Sequence, residues 1–390
     1  MITLSTADNA LKEVYLGVLA NQLNTTINPL LSRINQTTSD VWGKEIRKVA
    51  PYGINGGIGA GTEDGALPTA SATNYAQFVL PLKNLYGKIE ISDKAIRASE
   101  SSTGAFVNLL NSEMENLLKS SAFNFGRMLY GDGSGTLALA IGNTTEYIEV
   151  DSTANLIEGM VFDIVSTTNV VVYPQVKIAS IDRASKRVYP TKMPCAEDVL
   201  YESNFKLVVQ GSFNNEITGL GAIFKDTGSL YGLDRASHKW LVPYMKDNAA
   251  SDITENAMQR AIDELDEYAN SKVDFIVCSA GVKRNYQNYL ASYRSNIDIL
   301  NLDGGFKAIS YNGIPVVSDR FAPAGTMFML DTKDFNMHQL CDWKWLESED
   351  GRVIKQTLNK PTYQATLVKY ADLICNKPAG QAKISNIKES

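Results

Sequence analysis

Hydrophobic positions along this chain change their period several times, and each change marks a different kind of element. Leu11, Val14, Tyr15, Val18 and Leu19 recur at helical spacing behind Asp8, which predicts a short amphipathic helix capped at its start. From Asn24 to Arg47 the pattern dissolves into a polar, Thr- and Asn-rich stretch, which predicts an extended arm with no core of its own. Between 103 and 131, "TGAFVNLLNSEMENLLKSSAFNFGRMLYG" sets Phe106, Leu110, Met114, Leu117, Phe125 and Leu129 on one helical face. Gly131 stands where a C-terminal cap belongs, and at ~1.5 Å per residue the helix would be a rod of about 40 Å.

The period then shortens. From Thr144 to Gln210 the runs "TEYIEV", "MVFDIV", "NVVVYPQVKIASID", "VLYES" and "FKLVV" are separated by "DRASKR" and "TKMPCAED", which predicts a small β-rich insertion over 143–211. "ITGLGAIF" afterwards resumes the glycine-punctuated texture of residues 131–142, as though one domain had been interrupted. "SDITENAMQRAIDELDEYANSK" predicts a helix that Asp252 caps and Glu255 completes as a capping box. Its buried stripe is Ile253, Ala257, Ala261, Leu265 and Tyr268. A buried strand, "VDFIVCS", and a second helix started by Ser279 follow. "KAISYNGIPVVSDRFAPAGTMFMLDTKDF" then predicts two strands with an Asn-Gly turn, so the alternation is that of an α/β domain. "TLVKYADLICNKPAGQAKISNI" predicts a strand that ends near a Pro-Gly turn.

Glycines at 53, 56, 57, 59, 61 and 65 interrupt "PYGINGGIGAGTEDGALPTASATNYAQF", which has almost no large apolar side chain before Tyr75. Such a stretch loses much entropy on ordering and buries little, so it predicts a projecting loop. Strands around Ile46 and Val49 and in "AQFVLPLKNLYGKIEIS" would make it the tip of a long hairpin.

Composition narrows the function classes. A chain of 390 residues with 44% hydrophobic content predicts two or three globular domains. A net charge of -6 argues against a protein built to grip nucleic acid, which needs clustered Lys and Arg. Cys195, Cys278, Cys341 and Cys375 form no CxxC pair, which predicts reduced, mostly buried thiols. The N-terminus has no basic-then-apolar leader and no run approaches a membrane span of ~18 residues, so a soluble protein made in a cytoplasm is expected.

"LYGDGSGTL", residues 129–137, is the most site-like stretch, yet its helix comes before the glycines. A phosphate cradle needs strand, loop and then helix, and GxSxG fails because position 132 is Asp. The expected role is a flexible exit from the long helix, with Gly131, Gly133 and Gly135 permitting the turn. His238 and His338 lack companions at ligand spacing, and no local signature sets a nucleophile beside a base. Asp263, Asp266 and Glu267 share the helix face opposite the apolar stripe, which reads as solvated surface. Lys44, Arg47 and Lys48 near the hairpin base either form an ordinary solvated face or meet Glu63 and Asp64 of a neighbouring copy.

"ALKEVY", "YGKIEISDKAIRAS", "LYGDGSG" and "YNGIPVVSDRFAPAGTMFMLD", spread in order along nearly the whole chain, resemble stock phrases of the major capsid proteins of tailed double-stranded-DNA bacteriophages. The resemblance implies an α+β fold: an N-terminal arm (1–45), an extended loop hairpin (46–90), and a spine helix with peripheral domain (91–131). An axial domain (132–142 and 212–335), a β-rich insertion domain (143–211) and peripheral strands with the C-terminus (336–390) complete it. Residues 50–75 would overlap a neighbouring subunit. The resemblance further implies hexamers and pentamers closing into an icosahedral head shell around packaged double-stranded DNA, which the wall touches weakly and without sequence preference. Scaffolding, portal and decoration proteins are the implied partners, and no membrane is involved. It implies a virion location after synthesis in the host bacterial cytoplasm, and no catalytic, cofactor-binding or metal site. Some members begin with a scaffolding segment that is cleaved; this chain starts almost directly with the arm, so that segment is either removed or replaced by a separate protein. An encapsulin-type nanocompartment shell would share the fold, and an α/β enzyme with a β-rich accessory domain is the rival of another class.

Overall fold

The computed structural model describes residues 28–94, 103–193, 204–292, 299–301, 307–347 and 351–389. The amphipathic helix expected at Leu11–Leu19 and the strand expected in "VLYES" lie outside these residues. Two sheets, a barrel and a hairpin carry the architecture.

The long helix spans Thr103–Met128 and lies along a five-stranded sheet. Met114, Phe125 and Leu129 of its expected stripe are buried and Leu117 packs against the same core; Ala122, Phe123 and Met128 join them. In the sheet, Thr362–Cys375 is flanked by Phe335–Trp345 on one side and Lys83–Ser92 on the other, both antiparallel. Lys83–Ser92 alternates cleanly, with Leu85, Gly87 and Ile89 turned inward and Tyr86, Lys88 and Glu90 outward, as a sheet with one covered face requires.

The arm expected over 1–45 does not remain outside the core. Leu30, Leu31 and Ile34 are buried, and Asn35–Thr37 pairs in parallel with Phe335–Trp345. Asn28 explains the change: its side-chain oxygen accepts from the N–H groups of Leu30 and Leu31, and its amide donates to the carbonyl of Gly126. One polar side chain thus docks the local turn onto the long helix, and three apolar residues at irregular spacing follow it into the core.

The second sheet has seven strands, in spatial order Tyr244–Ser251, Ala382–Ile387, Met327–Leu330, Phe275–Cys278, Ile314–Ser318, Lys307–Tyr311 and Ile299–Asn301. Both faces are covered, and period-two alternation divides them. Ile276, Cys278, Met327, Met329 and Val316 face the helices Glu255–Ala269 and Ala280–Ser292, while Phe275, Val277, Phe328, Leu330 and Val317 join the core of the long helix. Asn312 and Gly313 make the expected turn with φ of 50° and 78°, and three strands, not two, come from this region.

Ala382–Ile387 belongs to this seven-stranded sheet, parallel to Tyr244–Ser251, so the C-terminus does not stay with the peripheral strands of 336–390. The Pro378–Gly380 turn reverses the chain after Thr362–Cys375 and delivers it there.

The β-rich region is a closed barrel of strands Thr136–Asn143, Ile148–Val150, Val161–Val165, Val171–Asp182, Arg187–Pro190 and Phe205–Val209. Thr136–Asn143, expected in the axial domain as far as Gly142, is one of its walls, because closure needs an antiparallel partner between Phe205–Val209 and Ile148–Val150. The core of the barrel is its own: Leu137, Val150, Phe162, Ile164, Ile178, Val188 and Leu207 among others.

The Glu255–Ala269 helix is capped two residues later than expected. Thr254, not Asp252, is the cap, its side chain accepting from the N–H of Ala257; Asp252 accepts instead from the side-chain amide of Asn285. Met258 replaces Ala257 in the buried stripe and Tyr268 is 77% exposed.

Candidate assembly surface

The feature that projects from this body is the hairpin of Glu45–Tyr52 and Asn74–Pro81, in unbroken register from Glu45–Pro81 to Tyr52–Asn74, with Lys83–Ser92 already part of the five-stranded sheet. Its inner face carries Ile46, Ala50, Phe78 and Leu80, all buried, which at ~1.5–3 kcal/mol for each large side chain holds its base on the body. Tyr52 stacks on Trp240 with ring centroids 4.9 Å apart and an interplanar angle of 6°, and Phe78 lies 5.0 Å from Tyr231 and 6.0 Å from Trp240. Val79 donates its N–H to the carbonyl of Tyr231 at 3.0 Å, and the Tyr231 hydroxyl in turn accepts the N–H of Cys375 at 2.8 Å. The anchor therefore reaches from the hairpin into the five-stranded sheet.

The outer face is different. Register places Arg47 with Val79, Val49 with Gln77 and Pro51 with Tyr75, and Trp42, paired with Glu45, continues the row. Trp42 is 69% exposed and Val49, Tyr75 and Val79 are exposed with it; the tip adds Ile54, Ile58 and Leu67, the last 90% exposed. This is a row of large apolar side chains on a two-sided ribbon that covers only one side, the kind of surface that marks a contact with another molecule. Of the basic group at the hairpin base, Arg47 pairs with its own neighbour Glu45 at 2.5 Å.

The stretch "LYGDGSGTL" leads out of the long helix. Gly133 and Gly135 have φ of +85° and +78°, as the reversed turn demands, while Gly131 does not adopt a left-handed conformation. Its expected flexibility gives way to a packed joint. Leu220 donates to the carbonyl of Leu129 at 2.7 Å, and Gly219 and Gly221 lie directly against the backbone of Met128 to Gly131. Asp132 pairs with Lys225 at 3.1 Å, and Arg127 near the helix end pairs with buried Glu216. Sequence reading passed over Gly219 and Gly221; the signal was the "GLGA" spacing, which brings two residues without Cβ atoms to one face.

The side chains considered for chemistry are dispersed. His238 is held by the carbonyl of Asp234 at 3.0 Å, and His338 is buried, with Nδ1 2.9 Å from the carbonyl of Ser39 and its ring kept below the usual imidazole value by burial. Asp263, Asp266 and Glu267 are exposed on their helix, Asp263 accepting from Gln259. Cys278 and Cys375 are buried free thiols pushed up by burial, Cys278 to about 12, and Cys341 is partly exposed. Among the described residues no three His, Cys, Asp or Glu side chains converge as a metal site, and no helix is long and apolar enough to cross a membrane. A cavity of about 240 Å³ lies between the long helix and the barrel exit, lined by Asn84, Ser121, Asn124, Gln210, Asn215 and Glu216 among others.

A rod-like helix on a thin sheet, a second sheet clad by two helices and a one-sided projecting hairpin make up this fold, and solved structures resemble it. A capsid subunit of cyanophage A-1(L) superposes with a TM-score of 0.56 at 12% sequence identity, covering 95% of this chain and 93% of that one. An encapsulin complex from Synechococcus elongatus gives 0.47 at 10% identity over 95% of each chain, and a structure from Mycobacterium phage Adephagia 0.47 at 9% over 94% and 92%. No protein-family profile and no curated protein sequence matches the chain. The chain has an α+β fold like that of the cyanophage capsid structure over 95% of its length.

Proposed function

We infer that this chain is a major capsid protein, a structural subunit that assembles with copies of itself, as hexamers and pentamers, into an icosahedral head shell enclosing double-stranded DNA. The observation that carries this reading is the hairpin: a ribbon anchored on one side by Phe78, Tyr52 and Trp240 and bearing exposed Trp42, Val49, Tyr75 and Val79 on the other, on a body with a capsid fold. A closed shell repeats one contact in slightly different settings, and a glycine-rich tip on a fixed base suits that need. The net charge of -6 supports weak contact with DNA, since a wall that neutralised many phosphates would hold the genome during packaging. A scaffolding protein, a portal and decoration proteins are the partners this role calls for.

Deleting residues 54–66 tests the reading. The account expects a folded, soluble subunit that forms no stable mature shells; intact particles of normal stability from the deletion variant, seen by electron microscopy, overturn the role of the hairpin.

A further inference from the structure

One wall of the barrel has its amphipathicity reversed. On Thr136–Asn143 the small side chains of Ala138 and Ala140 belong to the barrel core, while Leu139 and Ile141 are 37% and 51% exposed. A slip of one residue would exchange the two faces, so register is what holds the larger side chains outside. That register is set by Phe205–Val209, which places Phe205 opposite Ala140 and Lys206 opposite Leu139, and by Ile148–Val150 on the other edge. Phe162, Ile164, Phe205 and Leu207 fill the interior, and alanine is what fits beside them. The leucine and isoleucine are left facing solvent.

Charge is ordered across the same wall. At the level of Leu139, exposed Asp151 lies on one flank, its N–H donating to the Leu139 carbonyl at 2.9 Å and its side chain accepting from the Leu139 N–H at 2.8 Å. Lys206 lies on the other flank, its ammonium donating to Asn169 at 2.9 Å with donors to spare. Beside Ile141 the order repeats in weaker form, with Glu149 opposite Gly142 on the first flank and Asn204, whose N–H donates to the Ala140 carbonyl, on the second. The wall therefore reads acid, apolar, base from edge to edge.

We propose that this wall is an interface with the same wall of a second copy, the two related by a two-fold axis running along Thr136–Asn143. Rotation about that axis leaves Leu139 and Ile141 opposite their own counterparts and exchanges the flanks, so Lys206 of each copy meets the partner's Asp151. A row that complements its own rotated image fits a second copy better than an unrelated protein, which has no use for that symmetry. The contact rests on the reading that copies of this chain assemble, and it is distinct from the hairpin. A convex barrel presents only a few strands, so the buried area falls below the ~1,000 Å² of a stable isolated interface. Pairing is weak alone and gains strength where an assembly repeats it.

Thiol cross-linking of the assembled full-length protein tests the interface. Ile141→Cys puts a thiol on the axis, and a bismaleimide long enough to span the ~10 Å between packed sheets should join two copies there. Covalent dimers are expected from this variant. Little is expected from the unaltered chain or from Ala179→Cys, exposed on Val171–Asp182 at the opposite side of the barrel. Adding Lys206→Glu to Ile141→Cys sets like charges together and should slow cross-linking at least about tenfold, and adding Asp151→Lys as well should restore it. Particles that give no Ile141→Cys dimers, or give them no faster than Ala179→Cys, overturn the barrel contact and leave the shell reading standing, as does a charge exchange that restores nothing. If no particles form, the shell reading fails instead. The same reaction at ~1 mM protein, where weak pairs are populated, then decides the barrel contact: Ile141→Cys dimers support it and monomers overturn it.

Discussion

Leu220 donates its backbone N–H to the carbonyl of Leu129 at 2.7 Å, and a Cβ added to Gly219 would fall inside contact distance of three carbonyl oxygens around that bond. The φ of Gly219 is -82°, open to any residue, so the demand for glycine here is steric rather than conformational. Gly219→Ala is expected to destabilise the subunit by about 2 kcal/mol or more, read as a lower urea midpoint with unchanged slope. Gly142→Ala, where the added carbon would lie 3.6 Å from the Glu149 carboxylate, is the matched control and should change little.

Trp240 holds the hairpin from below through Tyr52 and Phe78. Trp240→Ala should cost about 2 kcal/mol, the lower part of the large-to-small range because the indole is only partly buried. Faster hydrogen exchange in 45–52 and 74–81, with the seven-stranded sheet unaffected, would locate the loss at the hairpin base; uniform loosening would contradict the anchor.

Lys369 is fully buried under the rings of Phe125 and Trp343, 5.4 and 5.9 Å from their centroids, and its ammonium reaches Asp342 at 2.6 Å and Gln339 at 2.8 Å. Removing Asp342 strands a fully buried cation, whereas removing the cation leaves a carboxylate that is a third exposed and can take up water in its place. Asp342→Ala is expected to cost about 3 kcal/mol, the low end because its carboxylate is a third exposed. Lys369→Met should cost less, because the Asp342 carboxylate it leaves behind can be hydrated. Thermal denaturation of the two variants side by side gives the order, and equal losses would mean that the charge is not what matters.

Asp334 is pushed up to about 6 by burial and by neighbouring Asp331. The folded state thus binds a proton that the unfolded chain has released, so stability falls as pH rises from 3.8 towards 6 and then levels. Asp334→Asn keeps an acceptor for the Gln381 amide and should stabilise the protein at neutral pH by about 1 kcal/mol after allowance for solvent screening, with no gain below pH ~4. Urea titrations at both pH values check the sign.

Periodicity made the rod-like helix, the strand–helix alternation and the projecting hairpin legible, because each is a local pattern written on consecutive residues. What lay beyond it depends on partners far away in sequence. Leu30, Leu31 and Ile34 read as part of a polar arm until Asn28 is seen to dock them on Gly126. Residues 136–142 read as part of the axial domain until Phe205–Val209 claims them for a barrel. Ala382–Ile387 reads with the peripheral strands of 336–390 until the turn at Pro378 carries it into another sheet. The outer face of the hairpin was only half legible: glycines announced the tip, but the row formed by Trp42, Val49, Tyr75 and Val79 appears only once strand register pairs positions that sequence keeps apart.

The central claim is that copies of this chain build a shell, and electron microscopy of the expressed full-length protein, with a mass measurement of the same sample, tests it most directly. The account predicts rings, tubes or closed icosahedral particles built of many copies, alone or beside a scaffolding protein. A monodisperse monomer that forms none of these under either condition would contradict it.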